Sequence, residues 1–328
     1  MSRIAIIGAG LSGLVVARAL QSRHDVTVFE KARGVGGRMA TRSAGAWEFD
    51  HGAQFFTART PEFQDFLRPL REQELVAEWR ASCVELNGRK IKAVRNWSQD
   101  FPRLVATPKM NALGKWLADG LTVRANVNVQ ELERDGAGWH LIDATLASLG
   151  PFDWVVSSAP APQTAALLPD YSPLHDHARG IAMQACFALL LGFDAAPDPD
   201  WQAALVHDAD IGWISVNSSK PGRSSACSIV VHSTNAWAEQ HIDDPVDDVT
   251  AHLVRTVSEI SGIEANSAAH CDLHRWRYAN INTQRRAAQV DPDNRLAACG
   301  DWFVRGRVEG AFTSAQRLLS QLAPLIDA

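Results

Sequence analysis

Residues 4–20, IAIIGAGLSGLVVARAL, contain three local signals in a fixed order. The first four residues are apolar and mostly β-branched, which is typical of a buried strand. Gly8, Gly10 and Gly13 follow at once, and the residues after them are apolar at helical spacing. Strand, glycine turn and helix in this order predict the dinucleotide-binding turn of a Rossmann fold.

Each glycine of this turn has a different physical role in such a site. Gly8 permits the tight turn, Gly10 lets the backbone approach a pyrophosphate, and Gly13 lets the helix pack closely on the strand. The helix N-terminus then faces the phosphates, because its first backbone N–H groups have no partner within the helix. We therefore expect dinucleotide contacts from Gly8, Gly10, Leu11, Ser12 and Gly13.

A second predicted strand, DVTVFE at residues 25–30, ends in an acidic residue. Glu30 follows Gly10 by about twenty residues, the spacing at which a carboxylate accepts hydrogen bonds from ribose hydroxyls. We expect Glu30 and its neighbour Lys31 to bind the nucleotide. The alternative, a secretion signal behind Arg3, is disfavoured because no small-residue cleavage site follows and because such a signal does not need the spaced glycines.

Composition excludes several classes of partner. The 328 residues carry a formal net charge of -5, and the basic residues are dispersed along the sequence. We therefore expect neither a nucleic acid nor an anionic membrane as a partner. The five cysteines are far apart and form no Cys-x-x-Cys pair, so we expect no disulfide framework and no zinc site, and a cytoplasmic location. The apolar run at 181–193 is too short to span a bilayer and is predicted to be a buried strand.

A second glycine-rich segment, EKARGVGGR at residues 30–38, indicates which dinucleotide binds. Its glycines predict a flexible loop, and Arg38 supplies a guanidinium suited to a diphosphate. An NAD domain would normally continue into its next helix, whereas this segment resembles the glutathione reductase type of FAD fold, in the branch that contains the flavin amine oxidases. The resemblance implies FAD contacts from Gly37 and Arg38. The alternative is a merely flexible loop with a solvated arginine.

The segment RLAACGDWFVRGRVEGAFTSAQRLLSQL, at residues 295–322, provides an independent signal for FAD. It predicts a strand, a Gly-Asp turn, and an amphipathic helix from about Glu309. In the flavin amine oxidase branch the Asp lies near the flavin ribityl and pyrophosphate groups, and the helix N-terminus points at the isoalloxazine ring. The resemblance therefore implies cofactor contacts from Asp301, Arg307, Val308, Glu309, Gly310 and Ala311.

The same resemblance implies an α/β fold with two domains: a glutathione reductase-type, FAD-binding Rossmann domain and a second, α+β substrate domain that covers the flavin. Val127 would give a backbone contact to adenine, and the SSAPAP turn at 157–162 would lie near the dinucleotide. The predicted FAD domain is discontinuous and comprises residues 1–58, 104–159 and 290–328. The predicted substrate domain comprises residues 60–103 and 160–289.

The chain also departs from the amine oxidases. Many of those enzymes hold the amine between aromatic rings, but Arg307 stands where one of these rings is expected, and a cation there would repel a protonated amine. Their flavin-proximal lysine is absent from the matching strand, which has Gln184 and Cys186 instead. Cys299 lies inside the last predicted strand, so we expect FAD to be bound non-covalently.

Three unusual strings resemble the renalase family: FDHGAQFFTAR at 49–59, HRWRYA at 274–279 and GDWFVRGRVEGAFTSA at 300–315. The resemblance implies oxidation of the 2- and 6-dihydro isomers of NAD(P)H to NAD(P)+, with hydride transfer to flavin N5 and reoxidation of the flavin by O2 to give H2O2. The ring nitrogen of a dihydropyridine drives hydride loss, so such a site needs positioning rather than a catalytic acid or base. An amine oxidase and a flavin protein without turnover remain the alternatives.

This resemblance also gives candidate site residues, none of them catalytic. The loop along the flavin would bind cofactor through His51, Gly52, Ala53 and Gln54. The aromatic candidates for the nicotinamide are Phe55, Trp97, Trp276 and Tyr278. Candidates for its carboxamide are Thr57, Asn96 and Gln184, and those for a nearby phosphate are Arg59 and Arg277. For any one tryptophan, a place in the core is the simpler alternative.

The remaining histidines are not expected to act in the site. His270 and His274 are four residues apart, but they lie in a predicted strand rather than a helix, so we expect no metal pair. His175 and His177 are expected to be solvated in a Pro/Asp-rich loop.

Overall fold

A computed structural model describes residues 1–95, 97, 99–282 and 287–327 of the chain. The helices are α1 (Leu11–Leu20), α2 (Pro61–Glu72), α3 (Ala112–Ala118), α4 (Ala161–Leu167), α5 (Pro173–Arg179), α6 (Asn235–His241), α7 (Val246–Ser261) and α8 (Val308–Ile326). The first strands are β1 (Arg3–Ile7), β2 (Asp25–Glu30), β3 (Arg42–Ala44), β4 (Trp47–Phe49), β5 (Val76–Glu78), β6 (Cys83–Asn87), β7 (Lys90–Arg95), β8 (Leu104–Ala106), β9 (Thr122–Ala125) and β10 (Val129–Asp135). The later strands are β11 (Gly138–Asp143), β12 (Ser148–Phe152), β13 (Trp154–Ser157), β14 (Gln184–Phe193), β15 (Ala203–His207), β16 (Ile211–Val216), β17 (Cys227–Ser233), β18 (His270–Asn280), β19 (Val290–Asp291) and β20 (Leu296–Ala298).

The first of two compact units comprises residues 1–37, 113–183 and 281–328. Its main sheet has the strand order β19-β20-β13-β1-β2-β9, and all pairings are parallel except that of β19 with β20. Ile6 of β1 lies opposite Val156 in β13 and Val28 in β2. The apolar run in β1 follows from this inner position, because a parallel strand covered on both faces has no polar side.

The second compact unit comprises residues 38–112 and 184–280. Its main sheet has the order β18-β14-β17-β16-β15-β6-β7 and is antiparallel except between β15 and β6. Both faces of β14 are buried: Phe187 and Leu189 belong to the cluster that contains Leu253 of α7, whereas Leu190 packs in a cluster with Phe49. Burial of both faces explains why the sequence of this strand is apolar without alternation.

Three element boundaries differ slightly from those predicted. The predicted buried strand at 181–193 is β14, which begins at Gln184. The strand predicted to reach Val127 ends at Ala125, and the last helix begins at Val308, one residue before the predicted start. The second and third differences are within the one or two residues by which assignments of helix and strand ends vary.

The prediction that His175 and His177 lie in a solvated loop is wrong, because both belong to α5. Ser172 caps this helix by accepting a hydrogen bond from the backbone of Leu174, and Pro173 occupies its first turn, where the absent N–H is not needed. The His177 ring stacks on Phe303 at a centroid distance of 5.1 Å, and burial lowers its pKa. The Ser-Pro pair is a helix start rather than a loop signal here.

The boundaries of the two compact units differ from those of the predicted domains. Residues 38–58 and 104–112 lie in the second unit, although the prediction groups them with the FAD-binding segments. Residues 160–183 lie in the first unit, although the prediction groups them with the substrate domain. The assignment of FAD and substrate roles to the segments stays a prediction.

In the described part of the chain, no helix is long and apolar enough to cross a membrane. His270 and His274 lie in a strand, and the described residues contain no group of three or more His, Cys, Asp or Glu side chains that could hold a metal ion.

Two strand glycines of the second unit provide a test of its packing. A Cβ atom at Gly192 would lie 2.6 Å from the Trp47 ring, whereas one at Gly212 would lie 3.6 Å from Thr234. We expect Gly192→Ala to destabilise the protein by about 1–3 kcal/mol through overpacking. Gly212→Ala should leave stability unchanged or raise it by up to about 1 kcal/mol. Urea unfolding of both variants measures this difference, and equal stabilities would contradict the packing of Trp47 on β14.

Candidate functional site

The glycine turn after β1 is shaped to receive a phosphate group. Gly8 has a φ of +104°, and its N–H donates to the carbonyl of Phe29 at 2.8 Å. A Cβ atom at Gly10 would have no atom of the described residues within 4 Å, whereas one at Gly13 would lie 2.3 Å from the Gly8 carbonyl oxygen. Gly13 is therefore required by packing, and Gly10 borders open space beside the N-terminus of α1. An anion fits there.

The carboxylate of Glu30 is held beside this turn by backbone groups. Its two oxygens accept hydrogen bonds from the N–H groups of Ala9 and Ala32, each at 2.8 Å. The backbone N–H of Val127 donates to the Glu30 carbonyl at 3.0 Å, so the predicted adenine and ribose contacts lie next to each other. Each carboxylate oxygen has a further lone pair for a ribose hydroxyl.

The second glycine loop lies over the first. The N–H of Gly36 donates to the Ala9 carbonyl at 2.9 Å. Gly37 has a φ of +55°, and a Cβ atom on it would lie 3.3 Å from Gly10 Cα, so this loop also needs a residue without a side chain. Lys31 is exposed near the start of the loop.

The N-terminus of α8 lies against that of α1. Ser12 donates a hydrogen bond through Oγ to the carbonyl of Ala311 at 2.9 Å. Gly310 is required because a Cβ atom there would lie 2.4 Å from the Arg305 carbonyl oxygen. Asp301 is buried at the start of a short 3-10 turn between β20 and α8. The structure thus brings together the predicted cofactor residues from both ends of the sequence.

In the second unit, residues 51–54 form a tightly packed loop. The carbonyl of His51 accepts hydrogen bonds from Trp276 Nε1 at 2.9 Å and from His232 Nε2 at 3.1 Å. A Cβ atom at Gly52 would lie 2.0 Å from the carbonyl oxygen of Arg38, which also accepts a hydrogen bond from the Ala53 N–H at 2.9 Å. The Arg38 guanidinium itself donates to the Ala279 carbonyl at 3.2 Å.

Three histidines around this loop are held neutral near pH 7. Burial lowers the pKa of His51 to about 4, and the charge of Arg42 contributes to the shift. Burial also lowers the pKa of His232 to about 4, and that of His274 to about 3 with contributions from His51 and Arg42. None of these imidazoles is poised to exchange a proton at neutral pH.

A buried network of charges lies on the other side of the loop. Asp50 contacts both Lys220 Nζ, at 3.4 Å, and the Arg223 guanidinium, at 2.6 Å, and all three side chains are at most 1% exposed. Burial opposes ionisation of Asp50, but the two cations outweigh it and lower the pKa of the carboxyl to about 2. This network could not be predicted from the sequence, because Lys220 and Arg223 lie in the polar segment NSSKPGRSS, whose composition is typical of an ordinary loop.

A cavity of about 400 Å³ opens beside residue 54. Its lining residues are Gln54, Phe55, Arg95, Trp97, Arg103, Leu205, Trp213 and His232. The Phe55 ring lies 5.6 Å from that of Trp97 and 5.7 Å from that of Trp213. Arg103 extends its guanidinium over the rings of Phe55 and Trp97, at 5.3 and 5.5 Å from their centroids. The volume is within the range of small-molecule pockets.

The predicted substrate residues divide between the cavity and other places. Phe55 and Trp97 line the cavity, whereas Trp276 stacks on His51 at 5.1 Å. The remaining candidates do not line the cavity in the part of the chain that the structure describes. Thr57 is half-buried, and Arg59 lies over the Phe101 ring. Gln184 lies in β14, Tyr278 lies in β18, and Arg277 pairs with Asp243. Asn96 lies outside the described residues.

Sequence reasoning missed several of the residues that form the cavity. Arg95, Arg103, Trp213 and His232 come from separate segments that carry no motif. Arg95, Trp213 and His232 lie in β7, β16 and β17, which are far apart in the chain. Pairing within one sheet brings these strands together.

Comparisons with known proteins agree with this geometry. The model of the NAD(P)-binding Rossmann-like domain matches residues 6–70, and that of the flavin containing amine oxidoreductase family matches residues 79–318. Renalase of Mus musculus is 24% identical over 352 residues, covering 98% of this chain and 99% of the renalase chain.

Solved structures share the fold at low sequence identity. Putrescine oxidase in complex with putrescine superposes with a TM-score of 0.74 at 12% identity, covering 98% of this chain and 99% of the other. An oxidoreductase from Methanosarcina mazei superposes with a TM-score of 0.70 at 13% identity, covering 97% and 100%.

The Rossmann sheet, the two glycine loops and the paired helix N-termini define a flavin-dependent oxidoreductase, which confirms the predicted fold class. The chain belongs to the flavin containing amine oxidoreductase family, and its cofactor is FAD. The open space at Gly10 and the fixed carboxylate of Glu30 fit the diphosphate and a ribose of this cofactor.

Two glycine variants separate cofactor binding from packing. We expect Gly10→Ala to weaken FAD binding at least about tenfold, because the methyl group occupies the space for the diphosphate, while stability without FAD changes by less than about 1 kcal/mol. Gly13→Ala should destabilise the protein by about 1–3 kcal/mol with or without FAD. Thermal melting with and without added FAD measures both effects. FAD affinity of Gly10→Ala equal to that of the wild type would refute the assignment.

Proposed function

We propose that this protein is an FAD-dependent oxidase that converts the 2- and 6-dihydro isomers of NAD(P)H, with O2 and a proton, to NAD(P)+ and H2O2. FAD supplies the hydride acceptor, flavin N5, and a route for the two electrons to O2. The observation that carries the proposal is the cavity of the second unit, whose walls combine aromatic rings with guanidinium groups.

The charge of this cavity favours an anionic substrate over an amine. Arg95 and Arg103 line it, and its described lining residues include no carboxylate. Glu85 pairs with Arg95 from outside the lining. The Arg103 guanidinium lies over the aromatic rings and donates through Nη1 to the carbonyl of Phe101 at 3.0 Å. A protonated amine would be repelled there, and a nucleotide phosphate would be attracted with the bidentate geometry that arginine provides.

The aromatic walls and one donor suit a nicotinamide ring. Phe55, Trp97 and Trp213 offer ring faces and edges against which a planar heterocycle can pack. Trp213 Nε1 is buried and has no hydrogen-bond partner among the described residues. A carboxamide oxygen would satisfy it, and leaving such a group unpaired in a buried site is costly.

The protonation states support hydride transfer without a catalytic acid or base. His232 lines the cavity, and its neutral ring is engaged by the His51 carbonyl at 3.1 Å. Oxidation of a dihydropyridine requires no proton abstraction, because the ring nitrogen supplies the electron pair. The residues that line the cavity therefore need only to hold the hydride-donating carbon of the substrate in place and to exclude water.

The similarity to mouse renalase along the whole chain supports this choice among the activities of the family. So do the strings DHGAQFF and RWRYA, which resemble that group. We also propose that FAD is bound non-covalently. Cys299, which directly follows β20, is fully buried, and burial raises the pKa of its thiol to about 12, so it is a poor nucleophile.

Anaerobic mixing with partly reduced NAD that contains the 2-, 4- and 6-dihydro isomers tests the proposal. We expect the flavin to bleach while the 2- and 6-isomers are consumed and the 4-isomer persists. Readmission of O2 should restore the oxidised spectrum and yield one H2O2 per isomer consumed. A panel of amines, including putrescine, provides the comparison. Bleaching by an amine but by none of the isomers would make this an amine oxidase, and bleaching by neither would indicate a flavin protein without turnover.

The role of the cavity is tested by a matched pair of arginine variants. We expect Arg103→Gln to raise the KM for the 6-dihydro isomer about tenfold or more, the effect of losing one charge-assisted contact. The rate of flavin reduction at saturation should change little. The control is Arg80→Gln, because the Arg80 side chain is 84% exposed and pairs with Glu78 in the same unit. An unchanged KM for Arg103→Gln would place the substrate elsewhere.

A further inference from the structure

Lys220 is a fully buried lysine in the second unit that the proposed reaction does not use. Its side chain is 0% exposed, and Nζ donates hydrogen bonds to Asn217 Oδ1 at 2.8 Å and to Gln54 Oε1 at 3.1 Å, with Asp50 at 3.4 Å. It also lies 5.4 Å from the centre of the Trp79 ring. A lysine is almost never buried unless it is paired, so this position is costly and needs a physical explanation.

The charges around Lys220 do not cancel. Asp50 is the one carboxylate in the described network, and it is shared with the buried guanidinium of Arg223. The buried group therefore carries an excess positive charge. Stability of the fold alone does not require this excess, because Arg223 by itself neutralises Asp50 and bonds to it through both Nε and Nη2.

The contacts of Lys220 lead to two walls of the cavity. Gln54 lines the cavity, and its Oε1 accepts from Lys220 Nζ and from Ser215 Oγ at 2.7 Å. These two donors fix the amide orientation, so that Nε2 donates to the carbonyl of Gly52 at 3.1 Å. On the other side, the Trp79 ring packs at 5.5 Å on that of Trp97, another lining residue.

We infer that Lys220 is a positioning residue for the substrate cavity, and that its ammonium holds Gln54 and, through Trp79, the aromatic wall in their binding geometry. The inference rests on the proposed function in so far as the cavity is the substrate site. Lys220 is not among the described lining residues of the cavity, so the role we infer is exerted through these neighbours.

The charge on Lys220 is expected to change within an accessible pH range. Burial lowers the pKa of its ammonium to about 8, Arg223 adds to the shift, and Asp50 opposes it. Three titratable or charged groups face Lys220. They are Asp50, which follows β4, Arg223, which lies with Lys220 between β16 and β17, and His232 in β17. The pKa of Asp50 is lowered to about 2 and that of His232 to about 4, so among the groups that face one another here Lys220 is the one expected to change charge near pH 8.

The test compares wild type with Lys220→Met and with Lys109→Met as the matched control. Lys109 pairs with Glu48 in the same unit and makes no contact with the cavity among the described residues. Lys220→Met leaves Asp50 paired with Arg223, so the fold should be retained. The first readout is the near-UV circular dichroism of the holoenzyme between pH 6 and pH 9.5. The second is the KM for the 6-dihydro isomer, set against the limiting rate of flavin reduction, over the same range.

We expect wild type and Lys109→Met to show a change in the tryptophan signal near pH 8. The KM should rise about tenfold above this pH, the effect of losing a charge-assisted hydrogen bond. Lys220→Met should lack the transition and have the high KM at every pH, with the limiting rate little changed. A transition that persists in Lys220→Met, or is absent from wild type, would overturn the inference. The dichroism decides even if the isomers do not reduce the flavin, so the two proposals can fail separately.

Discussion

The structure of the first unit depends on how closely α1 approaches the end of β1. A Cβ atom at Gly13 would lie 2.3 Å from the Gly8 carbonyl oxygen, so only glycine lets the helix begin there. That starting point brings Ser12 within 2.9 Å of the Ala311 carbonyl, which joins the N-terminal turns of α1 and α8. The second glycine loop is tied to the same turn through the Ala9 carbonyl. One steric constraint therefore fixes three distant segments that supply the predicted nucleotide contacts.

The part of the candidate site that lies in the first unit could be predicted, because the residues that determine it are close together in sequence. Glycine spacing, the strand before it and the acidic end of the next strand are all readable within thirty residues. Most of these contacts involve backbone groups, so they depend little on the positions of side chains. Even Ser12 and Ala311, about three hundred residues apart, were reached because each lies at a recognisable helix start. The prediction for His177 is wrong because the same kind of local signal is ambiguous at Ser172, which is the N-cap of α5 although its Pro/Asp-rich surroundings are typical of a loop.

The cavity could not be predicted to the same extent, because side chains from separate strands form it. Phe55 and Trp97 were found through a family resemblance, but Arg103 and Trp213 carry no motif. Trp213 lies in β16 of the seven-stranded sheet, whereas Arg103 lies beside the bridge between Leu104 and Phe56. Lys220 is the clearest case: a lysine between Ser219 and Pro221 in a polar segment is expected to be solvated, yet it is 0% exposed. Its burial depends on Asp50, which is 170 residues away in sequence.

The positive charge of the cavity in the second unit also bears on the choice of hydride donor. Under the proposed function, it favours a nucleotide over a simple pyridine. Hydride loss leaves a positive charge on the pyridine ring, and the positive charge of Arg103 in the cavity wall would raise the free energy of that state. Under the proposed function, a substrate phosphate near Arg103 would offset this penalty. Under the proposed function, the phosphate would serve the chemistry as well as the affinity. An amine would bring no such counter-charge, so under the proposed function the same arginine would favour a nucleotide over a protonated amine.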